Sequence, residues 1–202
     1  NEKKGDGADK TEKPDRDLSL EALGKVLKRE IPINIHAHRA DDIMTAIRIS
    51  EEFDLDTFLI HATEGYKLAD IIAEKNIPCI VGPIFLSRVK YEMRGMDPKN
   101  PARLTEAGVK VAIQTDQASA VKYILFDAAL AVREGMSEEK ALKAITIIPA
   151  EILGVSDRVG SLESGKDGDL IILNDDPLNV KNSRVERVFI EGQEIYNRAK
   201  SE

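Results

Sequence analysis

The amino-acid sequence predicts an α/β protein built around a parallel β-sheet. Short apolar runs alternate with helix-like patterns between residues 18 and 145, an order typical of βα units joined by right-handed crossovers. The runs are apolar at almost every position, as expected for strands covered on both faces. No glycine-rich phosphate loop follows any run, so the pattern disfavours a dinucleotide-binding open sheet relative to a closed (β/α)8 barrel.

Composition limits the classes of function. The 202 residues are 42% apolar and 32% charged, which is ordinary for a globular protein. The formal charge is -7 and the lysines and arginines are interleaved with acids, so we expect no nucleic-acid binding. No apolar run approaches the roughly 20 residues that cross a bilayer, and no signal-peptide pattern is visible. Cys79 is the only cysteine, which favours a reducing, cytoplasmic setting.

The first elements follow from spacing and capping. Residues 1–17 contain almost no side chain that could join a core, and we expect a mobile, linker-like segment. A helix is predicted after Asp17, a suitable N-cap. Its apolar residues recur at helical spacing: Leu20, Leu23, Val26 and Leu27.

Four strands are then predicted from β-branched apolar runs. They are Ile31 to His36, "TFLIH" ending at His61, "IPCIVGP" ending near Gly82, and "VKVAIQTD" ending at Asp116. Helices are predicted at 41–53 and in "KLADIIAEK". The loop 84–100 is long for a βα connection, and such loops often shape substrate pockets.

The remaining chain changes from helical to strand-like periodicity. Helices are predicted at Ala120 to Glu134, at Ser137 to Ile145, and in a short segment after Pro149. From Gly160 onward the pattern becomes strand-like. "DLIIL" predicts one strand, and "VERVFIEGQEIY" predicts a hairpin with a Glu-Gly turn.

Polar residues end three of the four predicted strands. Because the carboxyl ends of parallel strands meet at one edge, His36, His61 and Asp116 should lie together where barrels build active sites. A single histidine is more often structural, but two of the three histidines in the chain with an aspartate favour a metal site. Imidazole and carboxylate suit zinc, which we favour, and also iron, manganese or nickel. Such a metal lowers the pKa of water from about 15.7 towards 7.

Two sequence blocks resemble a known family. "NIHAHRADD", "FLIHATEG" and "IQTD", in this order and spacing, resemble the last four strands of a metal-dependent amidohydrolase barrel, with the imidazolonepropionase-like branch most similar. "KAITIIPAEILGVSDRVGSLESGKDGDLIILNDDPL" is similar to the carboxyl-terminal signature of that family. The resemblance spans about residues 18–196. It implies an α/β fold comprising the carboxyl-terminal half of a (β/α)8 TIM-type barrel, about four βα units, followed by part of a small β-sandwich.

The resemblance also implies domain limits, residue roles and a reaction. Residues 18–155 would be half of the hydrolase barrel, 156–198 a partial β-sandwich and 199–202 a tail. His36 and His61 match the metal-ligand histidines of the fifth and sixth strands. Asp116 matches the aspartate of the eighth strand, which binds metal and carries a proton from water to the leaving amine. The implied reaction is hydrolysis of a non-peptide C–N bond in a cyclic amide, an amidine or an aminated ring.

Some features of the family have no counterpart before His36. These features are the His-x-His pair of the first strand and the lysine or glutamate of the fourth strand. The sequence "HAH" at 36–38 is not that pair, because the later motifs follow it too soon for eight strands to fit. A whole barrel takes about 250 residues. We therefore expect a fragment, inactive alone, that needs the amino-terminal half or a homo-oligomeric partner. A non-catalytic amidohydrolase-like assembly or binding protein is the alternative.

Further residues are candidates for binding a small-molecule substrate. His38 would contact substrate or water, or else bond with Asp41 or Asp42; Arg39 would bind a substrate carboxylate, or else the same aspartates. Glu64 would support the site or cap a helix that begins near Gly65. The long loop adds three candidates whose alternative is a solvated surface role: Arg88, Tyr91 and Arg94. Cys79 should be a buried small side chain.

Overall fold

The computed structural model describes residues 15–85, 88 and 90–200. Residues 1–14 of the expected linker, three positions of the 84–100 loop and the end of the expected tail lie outside the described residues. The strands are Ile33–Ala37 (β1), Thr57–His61 (β2), Cys79–Val81 (β3), Val111–Ile113 (β4), Leu170–Leu173 (β5), Val185–Ile190 (β6) and Gln193–Asn197 (β7). The α-helices are Leu18–Leu27 (α1), Ala40–Glu52 (α2), Ala69–Glu74 (α3), Asn100–Glu106 (α4), Ile124–Arg133 (α5), Glu138–Ala144 (α6) and Ile147–Ile152 (α7). Short 3-10 helices cover Gly65–Lys67, Tyr91–Met93, Val121–Tyr123 and Arg198–Lys200.

The first four strands form one parallel sheet in the order β1-β2-β3-β4. Each strand is followed by at least one helix, which confirms the α/β prediction and its parallel sheet. Strands β2 and β4 are buried at almost every position, as expected for strands that are covered on both faces. The register pairs Ala37 with His61 and His61 with Val81, which aligns the strand ends that carry the polar residues.

Strand β1 departs from the predicted pattern. Its residues alternate between partly buried and exposed, and Asn34 and His36 are exposed. Among the described residues β1 pairs only with β2, so it is an edge strand in this part of the chain. The exposed positions therefore mark a face that no described element covers.

Strand β4 is shorter than the sequence predicted. It ends at Ile113 rather than at Asp116, although the Gln114 N–H still donates to the Val81 carbonyl at 2.8 Å. The neighbouring strand β3 ends at Val81 and is followed by Gly82 and Pro83, and proline has no N–H to continue the ladder. Asp116 consequently lies on the loop after β4, with a φ of 48°.

Capping at the start of α1 follows the prediction, whereas the burial of its apolar face does not. The Asp17 Oδ1 accepts hydrogen bonds from the Ser19 and Leu20 N–H groups at 2.8 and 3.0 Å. Only Val26 of this helix is buried. Its leucines are exposed: Leu18, Leu20, Leu23 and Leu27. The periodicity identified an apolar face, but the described residues provide no surface to cover it.

Two predicted helices differ in detail. The segment predicted as one helix from Ala120 to Glu134 is a 3-10 turn followed by α5, because Tyr123 has a ψ of 17° and interrupts the α-helical ladder. Helix α7 begins at Ile147, before Pro149 rather than after it. A proline is tolerated there because the N–H groups of a first helical turn have no intrahelical partner.

The last three strands form an antiparallel sheet in the order β5-β6-β7. The β6–β7 hairpin turns at Glu191 and Gly192, both with positive φ, as the predicted Glu-Gly turn requires. Apolar residues on this sheet remain exposed, among them Ile171 and Ile195. No helix in the described part of the chain has the length and apolar character needed to cross a membrane.

Candidate metal centre

Three histidines converge at the carboxyl edge of the parallel sheet. His36 lies near the end of β1, His38 is the first residue after that strand, and His61 ends β2. One ring nitrogen from each lies within 4.8 Å of the others. The ring centroids of His36 and His61 are 4.3 Å apart, and those of His38 and His61 are 4.6 Å apart. We refer to His36, His38 and His61 as the histidine cluster.

His61 is held by the backbone that follows β3. Its Nδ1–H donates to the Gly82 carbonyl oxygen at 2.7 Å, which leaves the Nε2 lone pair available. Burial lowers the pKa of His61, although the bond to Gly82 opposes that effect. The backbone of His61 has a φ of 70°, a conformation that non-glycine residues seldom adopt and that is common at functional sites.

His38 is the second buried member of the histidine cluster. Its Nδ1 hydrogen-bonds with the Thr63 hydroxyl at 2.6 Å, and its Nε2 lies 2.9 Å from Nε2 of His36. Burial, together with the nearby His61 and His36, lowers the pKa of His38 to about 4. The ring is therefore neutral at pH 7 and bonds with Thr63 and His36 rather than with Asp41 or Asp42.

Two carboxylates border the histidine cluster. The Asp116 Oδ2 lies 3.8 Å from His61 Nε2, and the Asp116 side chain is 55% exposed. The structure thus places Asp116 beside the histidines but outside the closely spaced group, where His38 takes the third position instead. The second carboxylate is Glu92, whose Oε1 lies 3.7 Å from His38 Nε2 and 3.6 Å from Lys90 Nζ.

Sequence reasoning missed Glu92. It lies on the short helix Tyr91–Met93 within the long loop between β3 and α4. The only signal in the sequence was the length of that loop, which predicted a role in shaping the site but not which residue would face it.

Arg39 and Glu64 form contacts with other residues of the described chain. Arg39 forms a two-point ion pair with Asp41, with both N···O distances at 2.9 Å. Glu64 does not cap the helix near Gly65 through its side chain. Its Oε2 accepts the Ala40 N–H at 3.0 Å, because the start of α2 leaves that donor without an intrahelical partner.

The remaining candidates from the long loop make contacts with other residues than the histidine cluster. Arg88 donates from Nη2 to the Met96 carbonyl at 2.8 Å. Two guanidinium groups lie over the Tyr91 ring, with Cζ of Arg39 at 6.0 Å and Cζ of Arg94 at 4.3 Å from its centroid. Cys79 is buried in β3, and burial raises the pKa of its thiol to about 12.

The donor set fits a divalent transition metal. Three imidazoles offer nitrogen ligands of the kind that zinc, iron, manganese or nickel accept, and the two bordering carboxylates add negative charge. The bonds from His61 to Gly82 and from His38 to Thr63 fix the orientation of two of the rings, as is usual for histidines that bind metals.

Gly82 connects the sheet to the histidine cluster, and its replacement by alanine should be costly. The residue has a φ of 124°, and a Cβ there would overlap the Gln114 carbonyl oxygen. We expect Gly82→Ala to lower the free energy of unfolding by at least about 2 kcal/mol, measured by urea denaturation. Gly108→Ala is the matched control, because Gly108 has a φ of 95° and open space around its Cβ position. Equal losses in both variants would contradict the steric explanation.

Comparison with known proteins gives consistent matches. The family model described as the amidohydrolase family matches residues 9–195. Amidohydrolase tasK of Hapsidospora irregularis is 25% identical over 183 residues, 87% of this chain and 18% of that protein. Imidazolonepropionase of Thermoplasma acidophilum is 40% identical over 75 residues, 36% of this chain and 18% of that protein. A crystal structure of an amidohydrolase from Thermotoga maritima is 44% identical with a TM-score of 0.87, covering 93% of this chain and 49% of that one. The chain therefore spans about half the length of this solved structure and less of the two curated relatives.

Proposed function

The chain belongs to the amidohydrolase family, and from this premise we propose that it supplies the metal-binding side of a hydrolase that cleaves C–N bonds. The observation that carries the proposal is the convergence of His36, His38 and His61 at the carboxyl edge of the sheet. Two of these rings are buried with lowered pKa values, so they are present as neutral ligands at pH 7.

The histidine cluster would hold a divalent metal, and zinc is the ion we favour. When bound, such a metal supplies Lewis acidity and an activated water near neutral pH. Thr63 and the Gly82 carbonyl keep the His38 and His61 rings oriented with Nε2 directed away from their hydrogen-bond partners.

Asp116 would move the proton that the reaction requires. Its carboxylate borders the cluster and is half-exposed, so both water and substrate can reach it. We assign its Oδ2 the role of accepting a proton from the attacking water and delivering it to the leaving nitrogen. Water adds to the carbon, the C–N bond breaks, and the amine leaves with that proton.

Substrates of the proposed reaction are small molecules with a C–N bond in a cyclic amide, an amidine or an aminated ring. The similarity to imidazolonepropionase supports the cyclic class, although that alignment covers 36% of this chain.

We further propose that residues 18–155 form the carboxyl-terminal half of a (β/α)8 barrel and that residues 156–198 form part of a β-sandwich. The coverage of 49% of the Thermotoga chain supports a correspondence to about half of such a protein. Edge strands β1 and β4 each pair with one described strand, and the leucines of α1 are exposed. The partner that covers these surfaces would be an amino-terminal half or a second copy of this chain.

The test is metal removal and reconstitution of the protein with its complementary half present. After treatment with a chelator, zinc, iron or manganese is added back, and release of amine or ammonia is measured on cyclic amides, amidines and aminated rings. We expect metal addition to restore hydrolysis of at least one class. Stoichiometric metal without turnover of any class would instead support the non-catalytic alternative.

A further inference from the structure

A pocket of about 290 Å³ lies at the ends of β3 and β4. Its lining residues are Pro83, Phe85, Thr115, Gln117, Ala120, Tyr123, Phe126 and Asp127. The rings of Phe85 and Phe126 meet edge to face, with centroids 5.3 Å apart. Five of these eight residues are apolar or aromatic, so the pocket favours an apolar occupant.

The pocket shares its backbone with the candidate metal centre. Pro83 follows Gly82, whose carbonyl accepts the His61 hydrogen bond. Thr115 and Gln117 flank Asp116, the carboxylate beside His61. The pocket therefore adjoins the part of the candidate metal centre that Asp116 and His61 form.

The size of the pocket suits a single ring. An apolar cavity of about 150 Å³ is large enough to hold benzene. A pocket of about 290 Å³ thus has room for one aromatic ring and a short linker. Edge-to-face contact with two phenylalanine rings is a favourable environment for such a group.

Phe85 and Asp127 form one wall of the pocket and are joined by a hydrogen bond. Phe85 is 71% exposed, which leaves a large apolar surface for an occupant to cover. The buried Asp127 carboxylate accepts the Phe85 N–H at 3.2 Å, which ties the segment after β3 to helix α5. Burial raises the pKa of Asp127, although its bonds to backbone N–H groups oppose that effect. Asp127 is a positioning residue for Phe85.

We propose that this pocket is a substrate subsite that binds a single aromatic ring attached to the group containing the scissile C–N bond. The inference rests on the proposed function and narrows it. The substrates would be aryl-substituted cyclic amides or amidines rather than compounds that carry a free carboxylate at the same position.

Direct binding tests the subsite without requiring turnover. The probe is 4-fluorobenzamide, titrated into the metal-free protein and followed by fluorine NMR. We expect saturable binding that is weakened about tenfold by Phe126→Ala, which removes one aromatic wall. Ala120→Leu, which fills the pocket at a partly buried position, should weaken binding without enlarging a cavity. Phe53→Ala is the matched control, because Phe53 is 51% exposed and does not line the pocket.

The outcomes separate this inference from the proposed function. Weakened binding in Phe126→Ala and Ala120→Leu with unchanged binding in Phe53→Ala supports the subsite. No binding to the unmodified protein, or equal binding to all variants, overturns it even if polar amides are hydrolysed. If the metal-loaded protein hydrolyses C–N compounds, aryl-substituted ones should be preferred in kcat/KM by about tenfold, and a preference for carboxylate-bearing ones also overturns it. Failure to bind metal or to hydrolyse any class refutes the proposed function, whatever the probe does.

Discussion

The His36→Ala/His61→Ala double variant is expected to lose the metal that the unmodified protein keeps through dialysis. Each substitution removes a ring nitrogen from a group whose ligand atoms lie within 4.8 Å of one another. One remaining imidazole cannot hold a divalent ion against water, whereas three can. We expect the bound metal to fall by more than about tenfold, since even losing a group that only orients a ligand costs 10- to 100-fold in affinity. Elemental analysis of both proteins measures it.

Two further variants make this test specific. Asp42→Asn removes an exposed carboxylate close to the cluster in sequence and should leave the metal content unchanged. His38→Ala distinguishes between two ligand sets. The sequence predicted His36, His61 and Asp116, whereas the structure groups His36, His38 and His61. Retention of metal in His38→Ala together with loss in Asp116→Ala would favour the sequence-based set.

Replacing Asp116 by asparagine should decrease kcat by about 10²- to 10⁴-fold while metal content is retained. The amide of asparagine cannot accept a proton from water, yet it nearly preserves the size and position of the side chain. Metal should remain because Asp116 lies outside the closely spaced group, with Oδ2 at 3.8 Å from His61 Nε2. The measurement combines steady-state kinetics on the substrate found by reconstitution with elemental analysis.

Glu92→Gln is the informative comparison for this prediction. Glu92 borders a different histidine of the cluster, with Oε1 at 3.7 Å from His38 Nε2. If Glu92→Gln abolishes turnover and Asp116→Asn does not, the proton-transfer role belongs to Glu92. If Asp116→Asn loses metal as well as kcat, Asp116 is a metal ligand, and the decrease in kcat follows from the loss of metal.

The sequence predicted which histidines meet at the carboxyl edge of the sheet better than it predicted where the strands end there. His36 and His61 were expected to meet because parallel strands end on one side, and their rings lie 4.3 Å apart. Asp116 was expected on a strand, but the pairing of β4 stops earlier because Pro83 on the neighbouring segment has no N–H. The hydrophobic periodicity of one strand does not predict where the neighbouring strand stops pairing with it.

Residues positioned by loops were beyond the reach of sequence patterns. His38 joins the cluster because its ring bonds with Thr63, which is 25 positions away in the chain. Glu92 reaches His38 from a short helix in a long loop without any regular spacing. Glu64 was expected to support the site or to cap the helix near Gly65, and its side chain accepts the Ala40 N–H at the start of α2. Each of these contacts is tertiary, so no local pattern specifies it.

The distribution of the histidines has a mechanical consequence for the sheet. Two of them belong to edge strand β1 and the loop after it, and the third belongs to neighbouring strand β2. An ion bound by all three would cross-link the edge strand to the interior of the sheet. Metal binding would then be coupled to the pairing of β1 with β2. It would stabilise the paired state by about 2.7 kcal/mol when free metal is 100 times the Kd. Metal scarcity would loosen the edge strand as well as stop the chemistry, so metal supply would control the lifetime of the folded chain.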